Sequence, residues 1–201
     1  MKTFHVAGIP SEFAWHIEPA AWHLDADGGL VVRSGPKNDY FNDPATGSQV
    51  GSAPCALMET DERAFILGAH VSLDGRSTFD AGLIFVRTQP DHWAKFCLEV
   101  SPDGRPMIVS VVTRGVSDDC NSVALASPEV YLRVAKSRRT LAFHHSTDGR
   151  HWHLARYFSL GEPDRVQIGW VAQSPMGEGS EVRFSRFFHR TGELANLRDG
   201  Q

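Results

Sequence analysis

The chain has 201 residues, with 20 Lys and Arg against 24 Asp and Glu and a formal net charge of −4. The charges are interspersed rather than blocked, so no extended field favours nucleic acid or an anionic membrane, and neither partner is expected. Cys55, Cys97 and Cys120 show no CxxC spacing, no window approaches the roughly 18 apolar residues of a spanning helix, and MKTFHVAGIP lacks a signal-peptide pattern; these features predict a reduced, soluble, cytoplasmic protein.

In chain order, FAWHIEP, AWHL and LVVRS read as short strands around a DADGG turn, with Phe13, Trp15 and Ile17 alternating. Residues 35–53, GPKNDYFNDPATGSQVGSA, lack periodicity and exceed the roughly 12–15 residues of an ordinary connection. They read either as a functional loop, with Asp39, Tyr40, Phe41 and Asp43 to watch, or as a crossover whose aromatics cover a sheet edge. APCALMET and RAFILGAHVSL resume the strands. Residues Asp80 to Arg114 then form three apolar, β-branched runs punctuated by QPD and SPDG, a three-stranded meander.

The SPDG turn sets a register. With Gly104 as the left-handed residue of a bulged three-residue loop, Glu99 faces Met107, Cys97 faces Val109, Lys95 faces Val111 and Trp93 faces Thr113. A three-residue loop at Pro90–His92 would pair Arg87 with Lys95. One face then carries Ala94, Phe96, Leu98, Val100, Ile108 and Val112, suited to a core. The other carries Arg87, Trp93, Lys95, Glu99 and Thr113 among Leu83, Phe85, Val109 and Val111, a mixed face suited to a concave binding surface.

After Arg114, GVSDDCNSVAL reads as a polar insert that sets Ser117, Asp118, Asp119 and Asn121 at the rim of the meander. EVYLRVAKS, RTLAFHHST, HWHLARYF, RVQIGWVAQS and EVRFSRFFH follow as strands, and only TGELANLRDG suits a helical turn. SPMGEGSE reads as a turn or as a source of backbone amides for a ligand. A two-residue turn at Asp148-Gly149 would gather His144, His151 and His153 on one face, a candidate metal site, whereas a longer bulged loop would split them. The string SxDGxxW is similar to the Asp-box of sialidase-type propellers, one residue short, and would stabilise the hairpin.

Some dozen short strands, almost no helix and Gly/Pro turns predict an all-β fold: a two-sheet antiparallel jelly-roll sandwich comprising one domain over residues 1–201. The predicted site is Arg87, Trp93, Lys95, Glu99 and Thr113, with Ser117, Asp118 and Asp119 at the rim and Asp39 or Tyr40 approaching from the early loop. Trp93 would stack on a sugar ring while the polar groups supply hydrogen bonds; equally, these side chains would form a structural network on a half-buried sheet. No ExDxxE string, GxSxG elbow, P-loop or GxGxxG is present. Glu99 with Asp118 or Asp119 would converge from different elements as a carboxylate pair for glycoside hydrolysis, but Lys95 beside Glu99 would hold that carboxyl ionised, the wrong state for a general acid. No cofactor or metal is expected. A small polar metabolite or carbohydrate is the expected ligand; a carbohydrate-active enzyme and a protein-interaction module are the alternatives.

AGL with Arg87, Trp93, Lys95 and Glu99, then Val111 to Thr113 and Ser117 with Asp118, carry a likeness. They resemble the recurring pattern of a domain-of-unknown-function family that includes the fungal regulation-of-enolase protein, and the likeness runs from LVVRSGPKNDYF onward. The resemblance implies a concanavalin-A-like fold. Many relatives have SDWS where this chain has Ser117-Asp118-Asp119-Cys120, so an aromatic platform is missing here. Their TDFW corresponds to Asn38-Asp39-Tyr40-Phe41, which keeps an acid followed by aromatics.

Overall fold

The structure is a computed structural model and describes residues 2–201. The chain runs through β1 (Thr3–Phe4), β2 (Phe13–Ile17), β3 (Ala21–Leu24) and β4 (Leu30–Arg33), then a small hairpin of β5 (Tyr40–Asn42) and β6 (Gln49–Gly51). Next come β7 (Cys55–Thr60), β8 (Ala64–Asp74), β9 (Ala81–Gln89), β10 (His92–Val100) and β11 (Pro106–Arg114). The remainder is β12 (Val116–Ala124), β13 (Glu129–Ser137), β14 (Thr140–Ser146), β15 (His153–Ser159), β16 (Val166–Gln173) and β17 (Glu181–Thr191). Two antiparallel sheets result, an eight-stranded one in the order β1-β2-β7-β16-β9-β10-β11-β12 and a seven-stranded one in the order β15-β14-β13-β8-β17-β4-β3. This is the predicted jelly-roll sandwich.

Alternation decides which side chains fill the space between the sheets. Ala94, Phe96, Leu98, Val100, Ile108 and Val112 all enter the main core, where Phe96 stacks on Phe143 of the facing sheet at 4.8 Å. Gly82 permits close approach there, since a Cβ on it would lie 2.3 Å from Val182 Cγ1. The opposite parity of β9, β10 and β11 forms a second apolar cluster with Leu83, Phe85, Trp93, Cys97, Val109 and Val111. Tyr40 belongs to this cluster because the 35–53 crossover folds back over the outer face of the eight-stranded sheet.

The β10–β11 register is the one the SPDG turn predicts: Trp93 faces Thr113, Lys95 faces Val111 and Glu99 faces Met107. Gly104 has φ 78°, the left-handed backbone that glycine adopts without steric cost. The β9–β10 turn differs from expectation. Only Pro90 and Asp91 lie between the strands, and a bulge beside it pairs Arg87 with Trp93 rather than with Lys95. The shift is two residues, so every side chain keeps its face.

Residues 116–124 are a nine-residue strand, not an insert. Periodicity is weak because β12 ends the sheet and only Ser117 is buried; backbone pairing to β11 carries it, and its polarity suits an edge. At the β14–β15 turn the two-residue geometry does not form: His144 pairs with Leu154 and His145 with His153. Asp148 Oδ1 accepts the amides of Arg150 (2.7 Å) and His151 (2.8 Å), and Ser146 Oγ accepts that of Gly149 (2.9 Å), so side chains stabilise a longer loop. His151 pairs with Asp148 at the exposed tip while His144 is buried beneath the C-terminal tail; His144, His151 and His153 are therefore held apart. The tail itself makes one i to i+4 turn, with Gly200 N–H donating to Asn196 O.

Candidate functional site

The outer face of β10 has a buried charge at its centre. Lys95, Cys97 and Glu99 project from alternate positions into the space beneath the β5–β6 hairpin, where Lys95 is 3% and Glu99 6% exposed. A buried ammonium needs partners. Lys95 Nζ donates to Asp39 Oδ1 at 3.0 Å and to Gln173 Oε1 at 3.1 Å, and lies 5.7 Å from the centre of the Phe41 ring. Burial alone would lower the Lys95 pKa, but the negative charge of Asp39, joined by Cys97 and Glu99 once high pH ionises them, outweighs it and raises the pKa.

Glu99 behaves in the opposite way to its sequence-based expectation. Burial raises its pKa to about 8, and the nearby Lys95 only partly opposes that rise because Asp119 and Asp39 push the same way as burial. At neutral pH the carboxyl is mainly protonated, with one O–H donor and an acceptor oxygen to offer. Lys95 gives its bonds to Asp39 and Gln173 instead, which is why proximity to a cation does not keep Glu99 ionised. The Cys97 thiol between them is pushed well up by burial.

Asp39, Lys95, Glu99 and Gln173 line a cavity of about 110 Å³ together with Phe41, Phe79, Val111 and Asp119. That is below the roughly 300–1,000 Å³ of pockets for drug-sized ligands, and fits a small molecule or one ring of a larger one. The cavity is walled by the 35–53 crossover, which the framework ties down. Asn38 Nδ2 donates to Ser34 O and Gly35 O, Ser174 N–H donates to Asn38 Oδ1, and the Asn42 amide donates to Ser117 Oγ at 2.9 Å. Asp43 satisfies its own turn through Ala45 N–H and Thr46 Oγ1. SPMGEGSE helps in the same way, with Ser180 N–H donating to Ser34 Oγ.

Phe79 and Gln173 are members of this site that the sequence reading did not single out. Phe79, which lines the cavity, has φ 70°, a conformation costly for a bulky side chain, and is 39% exposed. The buried Asp80 carboxylate anchors the bend by accepting Arg76 N–H, Ser77 N–H and Ser174 Oγ–H. Gln173 bridges the Phe79 carbonyl (3.2 Å) to Lys95, so the aromatic wall and the cation are positioned by one amide. Phe79 leaves no periodic signal because it lies in a bend, whereas Gln173 is the polar residue closing the apolar run of β16.

The predicted site residues thus divide. Asp39, Lys95, Glu99 and Asp119 come together at the cavity. Trp93 is 3% exposed and packs against Phe85 and Tyr40, at 5.5 and 6.0 Å between ring centres, so it supports the floor and offers no stacking face. Tyr40 is likewise in the apolar cluster, its phenol pKa raised by burial. Thr113 bonds Ser117, and that pair holds the hairpin through Asn42. Arg87 lies elsewhere, donating from Nε to Gln167 Oε1 at 2.8 Å beside His16. Asp118 takes the parity of Val112 and pairs with Arg156 at 3.0 Å, away from Glu99. Around Lys95 and Glu99 the face is therefore roofed by the crossover, with a small cavity beneath it.

Among the described residues no helix is long and apolar enough to cross a membrane. The chain is 29% identical over 178 residues, 88% of each protein, to Regulation of enolase protein 1 of Saccharomyces cerevisiae. A crystal structure of a functionally unknown protein from Saccharomyces cerevisiae superposes with a TM-score of 0.83 at 27% identity, covering 90% of this chain and 97% of that one. In fold the chain is also similar to the GH43 BlXynB protein of Bacillus licheniformis, with TM-score 0.71 and 15% identity over 90% of this chain but 36% of that one. The alginate lyase from Klebsiella pneumoniae gives a TM-score of 0.53 at 10% identity, over 85% and 84% of the two chains. Residues 15–191 match the family described as Protein of unknown function (DUF1349), and the chain belongs to that family.

Proposed function

We propose that this domain binds a small polyhydroxylated ligand, a carbohydrate or related polyol, in the cavity beneath the β5–β6 hairpin. The observation that carries the reading is the convergence of Lys95 and Glu99, the latter with a pKa raised by burial to about 8, on a space walled by Phe41 and Phe79. Hydroxyl groups both donate and accept, and here they meet an ammonium, a carboxylic acid and the carboxylates of Asp39 and Asp119. The C–H face of a sugar ring suits the exposed Phe79 ring. Sandwiches of this fold occur in glycoside hydrolase and alginate lyase structures, which makes carbohydrate the first ligand class to test. All three cysteines are free, two of them buried, which suits a reducing compartment such as the cytoplasm.

An enzymatic reading gains one observation: a carboxyl with a pKa of about 8 is a suitable general acid, and Asp119 on β12 is its candidate partner. A protein-interaction surface fits this face less well, since the hairpin covers its apolar floor.

A thermal-shift screen of neutral sugars, amino sugars and polyols tests the binding reading. A ligand at 100 times its Kd stabilises the fold by about 2.7 kcal/mol, roughly 5–10 °C for a chain of this size. Loss of that shift in Phe79→Gly, with unfolding still cooperative, supports the cavity; a panel with no saturable binder rejects the reading. Turnover of a bound glycoside that disappears in Glu99→Gln would move the assignment to enzyme.

A further inference from the structure

The outer face of the seven-stranded sheet holds charge that the protein leaves unmatched. Arg133 on β13 is 5% exposed, and its guanidinium lies 4.1 Å from the centre of the Trp152 ring. Nη2 donates to Gly200 O, while Nε is buried with no partner. Burial, followed by the neighbouring Arg190, lowers its pKa from 12.5 to about 10, which still leaves a full charge at neutral pH. Among the described residues no carboxylate pairs with Arg133: Glu62 Oε1 lies 3.2 Å from His189 Nε2, Glu193 accepts from Ser137 Oγ, and Asp199 accepts the backbone N–H of Gln201. His144, the register partner of Arg133, also has a buried Nδ1 without a partner.

Beside these atoms opens a cavity of about 490 Å³, lined by Arg133, Arg150 and Arg190 and by the rings of Trp152 and Phe188. Its size lies within the range of small-molecule sites. Guanidinium groups match the oxygens of carboxylates and phosphates, and a buried cation without a counter-charge is costly until such a group arrives. We propose that this cavity binds a small organic oxyanion, a phosphate ester or a carboxylate, with its charged end on the three arginines and its flat body against Trp152 and Phe188. The site is on the other sheet from the Lys95 cavity and does not depend on the carbohydrate reading.

The test follows the Arg133 Nε–Hε resonance of the intact chain, assigned through its backbone, during titration with phenyl phosphate, inorganic phosphate and benzoate at constant ionic strength. A saturable shift is expected, and comparison of phenyl phosphate with benzoate separates phosphate from carboxylate preference. Arg150 and Arg190 are exposed, so Arg150→Gln and Arg190→Gln should retain the fold. Each should weaken binding about tenfold, the loss of one charge-assisted contact. A shift that potassium chloride reproduces, the absence of any shift, or equal affinity in wild type and both variants would overturn the proposal.

Discussion

Each sheet of the sandwich has an outer face roofed by chain from outside the two sheets, and each roof covers a buried cation; the two faces resolve that cation differently. Under the β5–β6 hairpin, Lys95 is held by Asp39 and Gln173, and the remaining burden falls on Glu99, which stays protonated. Under the C-terminal tail, Arg133 has an aromatic ring and one carbonyl but no carboxylate. Similar burial therefore yields a closed electrostatic network in one place and an incomplete one in the other. Such a difference distinguishes a site whose charge balance is built in from one that draws on an external anion.

Breaking the compensated side should have the largest effect. Asp39→Ala strands Lys95 and should cost about 3 kcal/mol in urea unfolding, whereas the double change Asp39→Leu with Lys95→Met should restore most of that loss. If the single variant costs less than about 1 kcal/mol, the pair is not what holds the hairpin. The titration of Glu99 comes next. Its folded pKa is raised above the unfolded value, so its contribution is full below the unfolded pKa near 4.5 and is lost as pH rises through about 8. The stability of wild type minus that of Glu99→Gln should therefore fall by on the order of 2 kcal/mol from pH 6.5 to pH 8.5. Burial lowers the pKa values of His16, His70, His144 and His145, which run the other way, but they are common to both proteins and cancel in the difference. A flat difference would place Glu99 among ionised carboxylates.

Arg133→Met should behave unlike Asp39→Ala, changing stability by no more than about 1 kcal/mol, because it removes an unmatched charge rather than leaving one. A loss as large as that of Asp39→Ala would make the two roofs equivalent. Phe79→Gly should have the smallest effect on stability, under about 1 kcal/mol. Relief of the left-handed backbone offsets the lost ring contacts.

The framework of the first site was legible because turn chemistry and parity act locally. SPDG alone placed Trp93, Lys95 and Glu99 against Thr113, Val111 and Met107, and the two-residue error at QPD left every face unchanged. Distances across the fold were not legible in this way. Asp118 and Asp119 are adjacent in sequence, yet parity sends one to Arg156 and the other to the cavity once 116–124 is recognised as a strand. The roof was also hidden, since no local pattern says that Tyr40 will lie on Phe85 and Trp93 and turn an apparent stacking platform into a floor. Phe79 and Gln173 meet Lys95 only through tertiary contacts of the bend and of β16. The orphaned Arg133 was equally silent, because its surroundings come from the tail and the Asp148 loop.

The proposed carbohydrate site is tested most directly by calorimetric titration of wild type, Phe79→Gly and Arg190→Gln with the sugar or polyol that gives the largest thermal shift. Saturable binding to wild type, at least about tenfold weaker in Phe79→Gly and within about twofold of wild type in Arg190→Gln, is the predicted result. Equal affinity in wild type and Phe79→Gly, or no saturable heat with any member of the panel, would contradict it.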